Sequence, residues 1–353
     1  MLARMRKPLI VLFVAAALVA GACGGGKDDD ASSATSTSAK AKPGATSSSA
    51  PAVAAGAAPL TGLPLADAAK AKRPALVVKI DNAPKARPQV GLNQADVVVE
   101  EKVEDGVVRL FTIFHSNDSD PVGPVRSART TDIVLATPLH RPLFAYSGTN
   151  ATFQKQVSAA PLVDVGVERA SGDYFRQSGR SAPYNLFTRT SALFGKPAPQ
   201  SSAPPPLFPY RPEGQPLAGG TGAGGAHIDY VGKNITTRVD WAWSGGGWAR
   251  AQDGTPHKDG AGVQVLPKNV VIQLVKYVST GQIDRSGADV PEAELIGTGE
   301  AWVLTDGKVV KGTWSKPNAE AVTVYAGPDG QPVRLTPGQT WVELAPVGSA
   351  RLT

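Results

Sequence analysis

The run Gly123-Pro124-Val125-Arg126-Ser127-Ala128-Arg129 is the segment whose residue types and spacing point most directly to chemistry. Glycine and proline favour a tight turn, and Ser127 could then cap a following helix, with an arginine on each side of it. Guanidinium groups next to the free amides of a helix N-terminus bind carboxylate or phosphate groups. We therefore predict an anion-binding site at Arg126 and Arg129. Alternatively, these arginines pair with acidic residues of neighbouring strands and hold the loop in place.

Three acidic residues lie in segments whose patterns predict strands. Asp81 ends a buried run and is followed by Asn82, while Glu100 and Glu101 lie in the first arm of a hairpin. If the three carboxylates converge in a pocket, one with a raised pKa could be the acid or base of a hydrolase or transferase acting on envelope polymers. If they pair with the arginines instead, their role is structural.

The hairpin also carries Arg109 on its returning arm. The turn at residues 104–106 places Arg109 close to cross-strand reach of Glu101 or Val103. The pattern favours a surface ion pair on a half-exposed sheet, which would be worth less than about 1 kcal/mol.

A further donor-rich segment holds Arg176, Arg180 and the run Pro183-Tyr184-Asn185, without an acid, base or nucleophile set. His115 and His140 are not spaced as metal ligands, and no phosphate loop, dinucleotide fingerprint or Gly-x-Ser-x-Gly elbow is present. We predict no catalytic residue, no metal and no cofactor, and favour binding over catalysis. The predicted ligand-binding residues are Asp81, Asn82, Glu101, Arg109, Arg126, Ser127, Arg129 and Asn185.

The N-terminus predicts export. Three basic residues precede an apolar run at residues 9–20, which is too short to span a bilayer comfortably and suits a signal peptide. The run leads into Ala20-Gly21-Ala22-Cys23, which resembles a lipobox. We predict a signal peptide at residues 1–22 and lipid on Cys23, anchoring the chain at the extracytoplasmic face of the cell membrane. An ordinary secretory signal, with Cys23 incidental, is the alternative.

Composition supports the anchor and argues against nucleic acid. Cys23 is the only cysteine of 353 residues, so no disulfide is possible within one chain. The formal net charge is +6, but Arg4, Arg6 and Lys7 fall in the predicted signal peptide, which leaves 33 basic against 30 acidic residues. So small an excess is no nucleic-acid footprint. The sequence does not determine an oligomeric state.

The remaining chain divides by composition. Residues 23–58 combine the lipidated cysteine with a tether of small and polar residues that cannot bury a core. Residues 59–195 mix strand and helix patterns and predict an α/β domain with a mixed sheet. A Pro/Gly-rich linker at residues 196–226 precedes a nearly all-strand region at 227–353, for which we predict a small antiparallel sandwich or barrel. The fold class is therefore α+β.

All six tryptophans follow the predicted linker. Trp241 and Trp243 are two residues apart on a predicted hairpin and share a face. Buried, they form the core of a small domain. Exposed, they would dock a partner, and the chain would be a protein–protein adaptor.

Several motifs together resemble the YerB-like lipoprotein family, domain of unknown function 3048. In the first part they are Pro59-Leu60-Thr61-Gly62-Leu63-Pro64, Val78-Lys79-Ile80-Asp81-Asn82, Arg87-Pro88-Gln89, Ala95-Asp96 and residues 123–129; in the second they are Lys268-Asn269-Val270, Gly307-Lys308, Gly312-Thr313-Trp314, Lys316 and Pro337-Gly338-Gln339-Thr340-Trp341-Val342. The resemblance implies an envelope location and two domains, and supplies no activity. The family usually has Pro-His-Asn where this chain has Pro183-Tyr184-Asn185, which weakens any role for a histidine base or metal ligand. We therefore expect a membrane-anchored binding protein whose partner is an anionic cell-wall ligand or an envelope protein.

Overall fold

The computed structural model describes residues 54–284 and 287–353. The predicted signal peptide, Cys23 and most of the predicted tether lie outside the described residues. Ala58, the last predicted tether residue, is already buried and donates its backbone N–H to the oxygen of Leu63 at 2.7 Å. Within the described ranges, no helix has both the length and the apolar character needed to cross a membrane.

The first part of the chain alternates strands with short helices. Its strands are β1 (Leu76–Asp81), β2 (Val97–Lys102), β3 (Val108–Phe114), β4 (Leu143–Ala145), β5 (Val163–Asp164), β6 (Tyr174–Arg176) and β7 (Leu186–Thr188). Its α-helices are α1 (Thr131–Ala136), α2 (Ala151–Ala159) and α3 (Thr190–Phe194), and its 3-10 turns are Ala68–Lys72, Pro84–Ala86, Glu104–Gly106, Thr137–Leu139 and Ser171–Asp173.

The second part contains strands and no helix among the described residues. The strands are β8 (Thr221–Gly222), β9 (Gly225–Val231), β10 (Thr236–Trp243), β11 (Trp248–Gln252), β12 (Thr255–Pro256), β13 (Asn269–Val275), β14 (Tyr277–Ile283), β15 (Asp289–Ala293), β16 (Gly297–Thr305), β17 (Lys308–Lys316), β18 (Val324–Ala326), β19 (Thr340–Pro346) and β20 (Ala350–Leu352). The prediction of an α/β first part with a mixed sheet and a β-rich second part is confirmed.

One eleven-stranded mixed sheet runs through both parts. Its order is β18-β17-β16-β13-β19-β2-β3-β1-β4-β5, with β8 paired to β17. The join is the parallel pairing of β19 with β2, and β19 also runs parallel to β13. The second part is therefore not a closed antiparallel sandwich or barrel, because half of its strands extend the sheet of the first. Only β9–β12 and β20 form a separate five-stranded antiparallel sheet, and β14–β15 and β6–β7 form two small ribbons.

Both faces of the large sheet are buried. Along β1, Val77 packs with Val99 and Phe111 on one face, while Val78 and Ile80 pack with the opposite core. Helix α1 covers the first face, and the tryptophans of the five-stranded sheet pack against the second. Neighbouring side chains of a strand point to opposite faces of the sheet, so each polar residue of β1, β2 and β3 faces one of the two cores.

The helix predicted to start at Ser127 begins only at Thr131. Residues 126–128 are instead held by backbone hydrogen bonds to neighbouring segments, from Arg126 N to Lys79 O at 2.8 Å and from Ala128 N to Gly148 O at 3.1 Å. This β-like pairing uses the amides that a helix N-terminus would have left free, so Ser127 caps no helix.

The predicted linker and the tryptophans are both packed. Phe208 and Tyr210 of residues 196–226 are buried, and the Tyr210 hydroxyl donates to Leu60 O. Five of the six tryptophans are buried, while Trp243 is half-buried against Trp248 at 5.1 Å between ring centroids. The core alternative for these residues is confirmed, and the large exposed tryptophan surface that an adaptor would need is not found in the described residues.

Candidate functional site

Asp81, Arg109 and Glu101 lie side by side across three strands. Arg109 on β3 is opposite Asp81 on β1 and opposite Glu101 on β2, and Lys79 shares their face of the sheet. We call this the ion-pair face. All four residues are at most 7% exposed, so the expected surface pair on a half-exposed sheet is wrong. The face of the sheet that α1 and the preceding loop cover is as buried as the opposite face.

Lys79 is the centre of the cluster. Its ammonium contacts Glu101 Oε1 and lies 2.6 Å from Asp132 Oδ1, and all three side chains are at most 1% exposed. The other Asp132 oxygen accepts the backbone N–H of Arg129 at 2.7 Å. The backbone N–H predicted to bind an external anion is thus bound by Asp132. The prediction of an anion site at a helix N-terminus is therefore wrong.

Two more ion pairs extend the cluster. Arg129 Nε contacts Glu104 Oε1, while Arg109 Nη2 lies 3.5 Å from Glu104 Oε2 and Arg109 Nη1 donates to Ser127 O at 3.2 Å. Burial raises the pKa of Glu104, but the hydrogen bond from Arg129 and the charge of Arg109 outweigh it and leave the pKa below its usual value. Arg129 and Arg109 are therefore bound to internal partners and hold the loop to the sheet.

Burial leaves two groups of this face with shifted ionisation. The pKa of Glu101 rises to about 7 through burial, despite the opposing charge of Lys79. The pKa of Arg109 falls to about 10, through burial first and then the like charge of Arg129. One Glu101 oxygen and Arg109 Nε are buried without a hydrogen-bond partner. Of these two groups, Glu101 is the one whose proton occupancy changes near neutral pH.

Asp81 and Arg126 bring the cluster to the surface. Asp81 Oδ2 lies 2.8 Å from Arg126 Nε, and the Arg126 side chain is 28% exposed whereas that of Asp81 is 2% exposed. Neither terminal nitrogen of Arg126 contacts a hydrogen-bond or ion-pair partner in the described part of the chain. Of the two predicted anion-binding arginines, Arg126 is the one whose donors face outward.

Asn185 directly precedes the segment that pairs with residues 122–125. This pairing consists of the antiparallel bridge between Val122 and Thr188 and the 2.7 Å bond from Val125 N to Leu186 O. Asn185 Oδ1 accepts a 2.7 Å hydrogen bond from the exposed Arg176. We call Arg126, Arg176 and Asn185 the arginine surface. The structure therefore joins two segments that the sequence analysis treated separately.

Asn82 and Glu100 belong to the opposite face. Asn82 Nδ2 lies 3.1 Å from Glu100 Oε1 and 2.8 Å from Gln252 Oε1. Glu100 and Glu101 are adjacent in one strand, so their side chains leave on opposite sides of the sheet. Glu100 therefore does not converge with Asp81 and Glu101, as the hydrolase or transferase alternative requires.

The opposite face carries two adjacent carboxylates and one cation. Glu343 on β19 is opposite Glu100 on β2, and both are fully buried. Arg250 Nη2 binds both oxygens of Glu100 at 2.7 and 2.8 Å, while Glu343 is bound by the hydroxyl of Tyr230 at 2.6 Å and the indole of Trp241 at 2.8 Å. Burial and the charge of Glu100 raise the pKa of Glu343 well above its usual value. We call this the acid-pair face.

His257, without an identifiable partner in the sequence, completes the acid-pair face. Its Nδ1 lies 2.5 Å from Arg250 Nη1 and its Nε2 lies 2.8 Å from Gln89 Oε1. Burial and the charge of Arg250 lower its pKa well below the usual value, so it is a neutral link in the network. No group of three or more His, Cys, Asp or Glu side chains within the described residues is arranged to hold a metal ion.

Sequence reasoning missed Asp132, Glu104, Arg250 and Glu343. Each of them lies in a segment whose pattern predicts a buried strand or a turn. A single charged residue within an apolar run, as in Val342-Glu343-Leu344, is the sequence feature that indicates a buried ion pair. Its partner is not encoded nearby, since Arg250 is 150 residues from Glu100.

Residues 60–201 match the family model described as "Protein of unknown function (DUF3048) N-terminal domain", and residues 226–342 match the DUF3048 C-terminal domain. The chain is 28% identical over 300 residues to "Putative lipoprotein YerB" of Bacillus subtilis (strain 168), covering 82% of this chain and 86% of that protein. The crystal structure of the YerB protein from Bacillus subtilis matches with a TM-score of 0.72 at 25% identity, over 84% of this chain and 99% of the other. The resemblance inferred from the motifs is confirmed.

Proposed function

This chain belongs to the DUF3048 family, and from that premise we propose that it is a lipid-anchored protein of the cell envelope that binds an anionic ligand at the arginine surface. The name of the Bacillus subtilis relative supports the anchor, as does the lone Cys23 after a signal-like run. The anchor holds the protein at the extracytoplasmic face, within reach of cell-wall polymers and of other envelope proteins.

The observation that carries the binding proposal is the state of Arg126. Asp81 lies 2.8 Å from Nε, while the two terminal nitrogens have no protein partner in the described part of the chain. Such a fork of donors matches the paired oxygens of carboxylate or phosphate. Arg176 supplies a second positive charge without a carboxylate within ion-pair distance among the described residues.

Binding is supported over catalysis by how the carboxylates are used. Glu101 and Asp132 are held by Lys79, and Glu104 by two arginines. Asp81 is covered by Arg126, and Glu100 is held by Arg250 on the other face. A general acid or base must reach a substrate proton, and these side chains are enclosed and engaged within the protein.

The binding proposal is tested with the full chain carrying Cys23→Ser, which cannot be lipidated. Soluble cell-wall fragments and inorganic polyphosphate are titrated against this chain and against an Arg126→Ala/Arg176→Ala double variant. We expect the double variant to lose at least tenfold in affinity, because each charge-assisted contact is worth about 1.5–3 kcal/mol. Arg351→Ala removes another largely exposed arginine and serves as the matched control. Equal affinities of the double variant and the control would refute the site.

The anchor is tested separately by membrane fractionation. The unmodified chain is expected in the membrane fraction, with an acyl mass on Cys23, and the Cys23→Ser chain is expected to lose that mass. A Cys23→Ser chain that still carries the same lipid mass would contradict the assignment of the anchor to this residue.

A further inference from the structure

A small apolar cavity opens on the ion-pair face, away from the arginine surface. Its volume is about 60 Å³, and strand side chains form its floor while residues 134–138 and 207–208 wall it. The floor consists of Val97, Val99, Phe111, Ile113, Val342 and Leu344. Such a surface favours contact with the apolar part of a ligand over contact with water.

One cation lines this cavity. Lys316 is 3% exposed, and its ammonium donates to Ala319 O at 3.0 Å and to Ala321 O. These carbonyls use two of its three N–H donors. No carboxylate in the described part of the chain lies within ion-pair distance of it. Burial lowers the pKa of Lys316 to about 8, so the group remains mostly protonated at neutral pH.

The other buried polar side chain of the cavity also presents a donor. Gln273 is 2% exposed, and its oxygen accepts a 2.7 Å hydrogen bond from the hydroxyl of Tyr325. The Gln273 amide nitrogen therefore has N–H groups left to donate. The polar groups of this apolar cavity thus comprise a cation and a free amide donor, which complement a negatively charged acceptor.

We propose that this cavity binds an aliphatic monocarboxylate, whose hydrocarbon packs on the Val99–Phe111–Leu344 floor while its carboxylate pairs with Lys316. The charge of Glu320 acts on Lys316 from beyond ion-pair distance, so a ligand carboxylate would supply the direct partner that this buried ammonium lacks. The arrangement is a second site, chemically different from the arginine surface, because it selects the hydrocarbon as well as the anion.

The size of the cavity limits the ligand. Because the cavity is small, only a short or branched end of the hydrocarbon fits inside and the rest lies towards the opening. The same chemistry is offered by a fatty acid of medium chain length and by a peptide that ends in an aliphatic residue. Octanoate and N-acetyl-leucine represent these two sources.

Isothermal titration of the full Cys23→Ser chain with each probe tests the proposal. Lys316→Met keeps the length and apolar stem of the side chain and removes its charge. We expect it to weaken binding of the preferred carboxylate at least tenfold while binding of 1-octanol changes less than threefold. Lys311→Met, on the same strand but exposed, is the matched control and should bind as the parent chain does.

A second variant fills the cavity. Val99→Phe adds an aromatic ring to the floor and should abolish binding of both carboxylate and alcohol, even if Lys316→Met fails to fold. The Arg126→Ala/Arg176→Ala chain should bind the carboxylate unchanged, so failure here and failure of the arginine surface are distinguishable. Tighter binding of octanoate or of N-acetyl-leucine identifies the source. Absence of binding by both, or equal binding by parent and Val99→Phe chains, overturns the proposal.

Discussion

The two faces of the large sheet bury charge in different ways. On the ion-pair face, four cations pair with four carboxylates in three groups, of which the outermost is the pair of Asp81 with the half-buried Arg126. On the acid-pair face, Glu100 and Glu343 share the single cation Arg250, and Tyr230 and Trp241 provide the remaining hydrogen bonds. The first network reaches solvent, and the second is closed by the five-stranded sheet.

This difference separates a role in binding from a role in assembly. The contacts of Glu343 with Tyr230 and Trp241, and of Arg250 with Glu100, join segments far apart in the chain and fasten β2 and β19 to the sheet of β9–β11. The ion-pair face instead fixes the loop of residues 123–129 and leaves one guanidinium available outside. Buried charges thus determine which strands pack together on the acid-pair face. On the ion-pair face, they present a donor to the outside.

The largest expected effect breaks the acid-pair face. Arg250→Met leaves Glu100 and Glu343 adjacent without a cation, and removing one partner of a buried ion pair costs about 3–5 kcal/mol. Urea unfolding at pH 7 measures the change. Arg238→Met, whose side chain is 60% exposed, is the control and should alter the unfolding free energy by less than about 0.5 kcal/mol. A loss below about 1 kcal/mol for Arg250→Met would show that the guanidinium is dispensable to the fold.

The next effect sharpens the ion-pair face through its pH dependence. The folded pKa of Glu101, about 7, exceeds its ordinary value of 4.5. Between these two pH values, the folded chain therefore keeps a proton on Glu101 that the unfolded chain has released. Stability from this group is therefore full below pH 4.5 and is lost as pH rises to about 7. Between pH 5 and 8, the parent chain should lose about 2–3 kcal/mol of unfolding free energy relative to Glu101→Gln.

Glu343 and the other acids are present in both chains of that experiment, so their contributions cancel in the difference. Glu294→Gln changes an exposed acid and should show no such pH-dependent difference from the parent. A difference between parent and Glu101→Gln that is flat from pH 5 to 8 would place the Glu101 pKa near its ordinary value.

A smaller effect is expected at the outermost ion pair, that of Asp81 with Arg126. Arg126→Ala removes a side chain that is 28% exposed, while Asp81 keeps the backbone N–H of Ala83 at 3.0 Å. The unfolding free energy should fall by only about 1 kcal/mol, as for a partly exposed pair. Arg129→Ala removes a side chain that is only 10% exposed and leaves the buried Glu104 with the 3.5 Å contact of Arg109 alone, so it should cost clearly more in the same urea experiment. Equal losses would mean that Arg126 is as structural as Arg129.

The part of this arrangement that is local in sequence was predictable. The turn at residues 104–106 fixed the register that sets Arg109 opposite Glu101, because a hairpin determines its own pairing. The opposite directions of Glu100 and Glu101 also follow from strand periodicity alone. The contact of Lys79 with Asp132 spans 53 residues, and that of Trp241 with Glu343 spans 102, and both depend on how distant strands and loops meet. Composition and spacing carry no information about such pairings.

The smallest effect concerns Tyr184, at the position where the family resemblance leads us to expect histidine. Tyr184 is half-buried, and its backbone N–H bonds to Ser181 O at 2.9 Å. Tyr184→His should therefore change the unfolding free energy by less than about 0.5 kcal/mol. Because residue 184 precedes Asn185 of the arginine surface, a protonated imidazole would add a positive charge beside that surface. Polyphosphate affinity of the variant should exceed that of the parent severalfold at pH 5.5 and equal it at pH 8. Tyr184→Phe, which cannot titrate in this range, is the control, and an affinity gain independent of pH would assign the effect to shape instead of charge.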